Sequence, residues 1–205
     1  MSIADYSDLL MQVSEYTGRD DFGHMFPRLV SFAENKMNRA LRVGGMETSA
    51  SLTTSSSGNV ALPTGFLEMR EVKDSAGRIL DAVTPAAGDY IHGPYAGTTV
   101  NWYVKGSTFY TVPYSEATFT ILYYTKITPL TPAATTNWLL TDAPMVYLYG
   151  VAAEVVGWAI AQGKEDVSKL SGYAQLLQGE IDAYQMQDRS KRYSNVRVVN
   201  RGLNP

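Results

Sequence analysis

Cysteine is missing from this sequence altogether, and histidine occurs only twice, at His24 and His92. Without thiols there can be no disulfide, no thiolate metal site and no cysteine nucleophile. The absence suits a protein made in a reducing cytoplasm. Neither histidine stands at metal-ligand spacing from another candidate, so both read as surface or loop residues, and no metal or other cofactor is expected. No glycine loop of the phosphate-cradling kind is present, nor a strand–turn–helix nucleophile elbow. Charge is also scarce, at 18% of residues, against 45% hydrophobic. That balance excludes wholesale disorder and allows a real core in one domain with an insertion, or in two small domains.

The N-terminal run MSIADYSDLL has neither a basic start nor a long apolar stretch, so no signal peptide is expected. Met145 to Ala161 is the one segment that invites comparison with a membrane span. It is short for a bilayer and carries Glu154, Gly150 and Gly157. It reads instead as a helix covered by protein on most faces, and no membrane partner is expected.

What charge there is lies unevenly. From Arg189 to Pro205 there are five basic residues and no acid, so a net −3 for the chain hides −8 over the first 188 residues. An acidic body is a poor stationary binder of DNA, whereas a basic end suits docking on something acidic.

Periodicity divides the chain in three. Tyr6–Tyr16 and Phe26–Leu41 carry apolar stripes at helical spacing, with Gly18 and Gly44-Gly45 as stops. Alternation then predicts strands at Glu47–Thr54, Asn59–Leu62, Phe66–Asp74, Arg78–Val83, Thr99–Lys105, Ser107–Val112 and Thr118–Lys126. Hairpin turns are expected at 75–77 and 105–107. Two helices follow, from about Ala143 to Gln162 with Thr141 or Asp142 as cap, and from about Glu165 to Ser190 with both acids in its first turn. The fold class is α+β: an antiparallel helical bundle (1–46 and 136–190), a β domain (47–135) inserted between the second and third long helices, and an extended basic C-terminal arm (191–205).

Three functional patterns compete at this point. The tyrosines Tyr103, Tyr110, Tyr114, Tyr123 and Tyr124 offer either a sugar-binding, host-recognition platform or core and subunit contacts. The acid pairs Asp20-Asp21, Glu68 with Glu71, and Glu165-Asp166 offer either hydrolytic chemistry or solvated caps and loops, the second being better supported. The basic end offers nucleic-acid or protein docking.

Four stretches bring a family into view. FPRLVSFAENKMNRALRVGGMET, with its Asn38-Arg39-Ala40-Leu41-Arg42 turn and Met46-Glu47 strand start, resembles the second helix and following strand of tailed-bacteriophage head-to-tail adaptor (connector, head completion) proteins. ALPTGFLEMREV, Tyr123-Tyr124-Thr125-Lys126 and TNWLLTDAPMVYLYGVAAEV resemble later elements of that family, in the same order. The resemblance implies a structural virion protein and no enzyme. It would be assembled in the bacterial host cytoplasm as a ring of twelve copies at the head–tail junction. The portal would lie on one side, tail or nozzle proteins or tail fibres on the other, with the genome passing through the channel without sequence-specific binding. Portal docking would fall to the arm through Arg189, Lys191, Arg192, Tyr193, Arg197, Val199, Arg201 and Leu203. Tyr147, Tyr149, Trp158 and Ile160, on the apolar helix, are the candidates for contact between neighbouring subunits.

Overall fold

A computed structural model describes residues 2–91 and 97–193. The chain forms two compact units, one built from the residues up to Gly45 and from Ile127 onward, the other from Met46–Lys126.

The first unit is helical. Helix α1 (Tyr6–Thr17) opens at Asp5, whose carboxylate accepts hydrogen bonds from the Ser7 and Asp8 backbone N–H groups. It closes at Gly18, held at φ 66°, a left-handed turn that glycine makes without a Cβ penalty. A 3₁₀ turn (Gly23–Met25) leads into α2 (Phe26–Ala40), with Pro27 in the first turn, where no N–H is needed. The stripe Phe26, Leu29, Val30, Ala33 and Met37 is buried, as its spacing predicts.

After the second unit, the chain enters a short helix, α4 (Trp138–Asp142), capped by the Asn137 side chain on Leu140 N–H. Thr141 and Asp142, expected as caps of the next helix, lie instead inside this extra turn. Helix α5 (Pro144–Ala161) starts at Ala143 with no side-chain cap. It is long and apolar enough to cross a bilayer, but packs against α1, α2 and the last helix, with 56% of its apolar stretch buried. Helix α6 (Val167–Tyr193) begins two residues later than expected, because the Asp166 carboxylate caps Ser168 N–H from outside the helix. It ends three residues later, so Lys191, Arg192 and Tyr193 are helical and not part of an extended arm. A Cβ on Gly150 would lie 3.6 Å from Leu177 and one on Gly157 4.0 Å from Leu170, an order that makes α5 and α6 an antiparallel hairpin.

The second unit holds two sheets. One has the order β1 (Glu47–Thr53), β7 (Thr118–Thr125), β3 (Phe66–Lys73), antiparallel throughout. The other has the order β2 (Asn59–Ala61), β6 (Thr108–Val112), β5 (Asn101–Lys105), β4 (Asp81–Ala82). Helix α3 (Pro85–Ile91) packs beside β5. Only Asp81–Ala82 of the expected Arg78–Val83 strand forms a ladder. The preceding residues turn around Asp74, which accepts bonds from the Ala76 and Arg78 N–H groups. A core of Leu52, Val72, Leu80, Phe109, Phe119, Ile121 and Tyr123 draws on both sheets.

Residues 127–135, expected with the strands, belong to the helical unit and are hydrogen-bonded to α2. Packing within the helical unit is tight at the end of the segment after α2. A Cβ on Gly45 would stand 2.6 Å from the Trp138 ring, whose rigid indole cannot fold aside. Gly45→Ala is expected to cost about 1–3 kcal/mol and to alter Trp138 fluorescence; an unchanged melting midpoint would contradict this packing.

Candidate assembly surfaces and the polar network behind them

The polar side chains that look most like a site are engaged in holding the helical unit together. Glu34, buried on α2, accepts hydrogen bonds from Leu130 N–H at 2.7 Å and from the Tyr147 hydroxyl at 2.9 Å. Asn137 Nδ2 donates to the Tyr147 oxygen at 2.6 Å and to the Thr128 carbonyl at 2.7 Å. One turn along α2, Asn38 Oδ1 accepts from Ile127 N–H at 2.8 Å. These bonds satisfy a returning strand of chain that has no ladder of its own, and so fix the path from β7 to α4. Burial is the main reason the Glu34 carboxyl titrates above its ordinary value; the bonds from Leu130 and Tyr147 oppose it. Burial and the nearby Glu34 charge push the Tyr147 phenol up.

Tyr147, expected at a subunit contact, is therefore a correction. It is fully buried within its own unit and presents no ring to a neighbour. The other three candidates on α5 remain half-buried. Tyr149 leans on Tyr16, with ring centroids 5.5 Å apart. Trp158 meets the His24 ring edge-on at 6.0 Å and lies under the Lys164 ammonium at 5.6 Å. Ile160 lies in the last turn of the same helix, next to its final residue Ala161.

At least one member of each acid pair is held in an ion pair, Glu71 by Lys73 at 2.6 Å, and Asp21 and Glu165 by several cations. Asp21 receives Arg19 at 2.7 Å and Lys164 at 2.8 Å; Glu165 receives Lys169 at 2.7 Å and Arg19 at 3.5 Å. The Arg19 hydrogen bond, then that from Lys164, holds the Asp21 carboxyl down at about 2, the wrong direction for a general acid. Glu154, in the middle of apolar α5, is paired with Lys36 of α2 at 2.6 Å.

Of the five candidate platform tyrosines, only Tyr110 and Tyr114 are half-buried and the rest are buried. Tyr103, Tyr123 and Tyr124 are buried, and Tyr110 stacks flat on Tyr103 at 4.9 Å. The Tyr103 hydroxyl donates to Asp89 of α3. Among the described residues, no three of His, Asp and Glu gather where they could hold a metal ion.

Of the residues expected to dock on the portal, Arg189 and Lys191 are exposed on the last turns of α6. Arg192 turns back to Asp188 at 2.8 Å, and that carboxylate also accepts from Gly44 N–H at 3.1 Å. Arg197, Val199, Arg201 and Leu203 lie outside the described residues, as does His92.

Sequence reasoning gave no structural role to Glu34, Asn38, Asn137 or Arg19; Glu34 and Asn38 entered it only within the family resemblance. For Glu34 and Asn38 a signal existed: they stand four apart, beside the apolar stripe of α2, on the side that must face the core. Asn137 carried none beyond a capping residue next to an apolar run.

The fold and its surfaces thus define a structural component: an α+β chain in which the buried Glu34 and Tyr147 are hydrogen-bonded to each other and Glu154 is paired with Lys36, while half-buried aromatic and exposed cationic side chains lie on the outside. The family model for the SU10 adaptor protein matches residues 4–200, and the chain belongs to that family of phage head–tail adaptors. It is accordingly a structural adaptor of a bacteriophage, placed at the head–tail junction among portal and tail proteins. None of the curated proteins compared with it matches.

Proposed function

We propose that this protein forms a closed ring, of twelve copies, assembled in the host cytoplasm and docked under the portal, with a channel through which the genome passes to the tail. The observation that carries this reading is the charge division: a body at −8 and a C-terminal end with five cations and no acid. Like-charge repulsion lets DNA slide past the body instead of adhering. The cationic end, from Arg189 and Lys191 on α6 through Arg197 and Arg201 beyond it, docks on acidic portal surface through charge-assisted contacts. Arg192 contributes less directly, since Asp188 already holds it. A ring built head to tail needs two unlike surfaces on each copy. Trp158, Ile160 and Tyr149 supply one of them.

Cutting the chain after Tyr193 keeps α6 whole while removing Arg197, Val199, Arg201 and Leu203. Each charged contact contributes about 1.5–3 kcal/mol, so binding of the truncated protein to purified portal rings is expected to fall at least roughly tenfold at low salt, and by less at high salt, which screens these contacts. Undiminished binding would refute the docking role.

A further inference from the structure

The two sheets have four edge strands among the described residues, β1, β3, β2 and β4, and three of them are guarded. On the outer side of β3, the chain at Ile79 and Leu80 bridges Lys73 and bonds to Val72; the strand itself is broken by two register shifts and carries Glu68, Arg70, Glu71 and Lys73. β2 is three residues long and β4 two. Short strands, charges and irregularities are the usual means of keeping foreign strands off a sheet.

β1 has none of these. It runs for seven residues, in regular register with β7 from Glu47↔Tyr124 to Thr53↔Thr118, and its sequence ETSASLT contains no proline and no charge after Glu47. Along Thr48–Leu52 every second residue turns its N–H and C=O away from β7, and among the described residues no backbone bond meets them there. The side chains raise no barrier either. Ser49, Ser51 and Thr53 lie exposed, beside Leu122, Thr120 and Thr118 of β7, as a small, uncharged surface made mostly of hydroxyl side chains. Ala50 and Leu52 on the other face continue into the core.

We infer that the β1 edge accepts an extended segment of a tail-side protein, which adds to the sheet as a further antiparallel or parallel strand. This rests on the adaptor reading and names the surface by which the tail is held. Main-chain hydrogen bonds supply the attachment, and alternate side chains supply selectivity. The fitting segment is uncharged for about five residues, with small or β-branched apolar residues toward Ala50 and Leu52 and hydroxyl or small residues toward Ser49 and Ser51. Two other occupants fit worse. A second β1 would pair through a two-fold axis, which a ring with a single cyclic axis lacks. The cationic C-terminal end of a neighbouring copy would find no carboxylate between Ser49 and Thr53.

The test exploits the absence of native cysteine. Ser51→Cys places a unique thiol on the exposed face of the edge, for attachment of a photo-crosslinker in mature particles. The expected product joins position 51 to one extended segment of a tail protein. Crosslinks confined to copies of this chain, or none, would overturn the inference. In the wild-type protein, amide hydrogen exchange at 48–52 is expected to slow at least tenfold when tails join adaptor-bearing heads; unchanged exchange would overturn it equally. Ser49→Lys with Ser51→Lys supplies the missing guard and should leave heads filled, adaptor-bearing and tailless. If the adaptor stays on the heads but β1 remains unprotected in tailed particles, the strand-addition inference fails alone. If the adaptor is not at the junction at all, the adaptor reading fails with it.

Discussion

Glu34→Ala is expected to lower the stability of the helical unit by about 2–4 kcal/mol, since it strands two buried donors, Leu130 N–H and the Tyr147 hydroxyl. Each loses its acceptor in a place water does not reach, and the path of 127–137 loses its anchor on α2. The loss should appear in urea unfolding as a lower midpoint with an unchanged slope. A midpoint within experimental error of the wild type would remove the network from the account. Glu34→Gln separates the charge from the shape. Burial raises the Glu34 carboxyl above its ordinary 4.5, so the folded chain holds that proton more tightly than the unfolded chain does. Its contribution to folding is therefore full below pH 4.5 and lost as pH rises through the higher folded value. Wild type should gain stability relative to Glu34→Gln as pH falls from about 7 toward 5. A difference that does not move with pH would mean that the carboxyl is not desolvated as its surroundings imply.

Phe109→Ala should damage the β unit to a similar or greater degree, by about 3–5 kcal/mol. The ring is fully buried and lies against Trp102 at 6.1 Å and Phe119 at 5.9 Å, which brings side chains of β5, β6 and β7 together. Trp102, whose indole N–H donates to the Leu80 carbonyl at 3.0 Å, reports the change in its own fluorescence. Loss of less than about 1 kcal/mol would show that the cavity collapses freely and that the two sheets share less of a core than their packing indicates. Since α2 lies outside this core, the Glu34 and Phe109 effects should add in the double variant.

The parts of this structure that were legible in the sequence are those set by repeating local patterns. The stripes of α1 and α2, the left-handed stop at Gly18, and the alternation of β1, β3, β6 and β7 follow from helical and strand periods that burial enforces over many residues. What was misjudged depended on single contacts. Thr141 and Asp142 are good caps in isolation, but Asn137 caps first and makes an additional helix. Arg78–Val83 alternates like a strand, yet Asp74 folds the chain into a turn that uses up its first half. Helix α6 runs to Tyr193 because Lys191 and Arg192 suit a helix C-terminus and Arg192 finds Asp188 one turn back. Tyr147 illustrates the limit for sites. Nearly every residue of α5 is apolar, so periodicity cannot say which tyrosine turns inward. That is decided by Glu34, 113 residues away in sequence.

The central claim is that this chain works by joining other chains at the base of a phage head. Electron cryomicroscopy of the mature particle at the head–tail junction tests it most directly. The account predicts a cyclic layer of this fold between portal and tail, with the end of α6 toward the portal and α5 side chains Trp158 and Ile160 against the next copy. A junction in which portal and tail proteins meet with no such layer would contradict it.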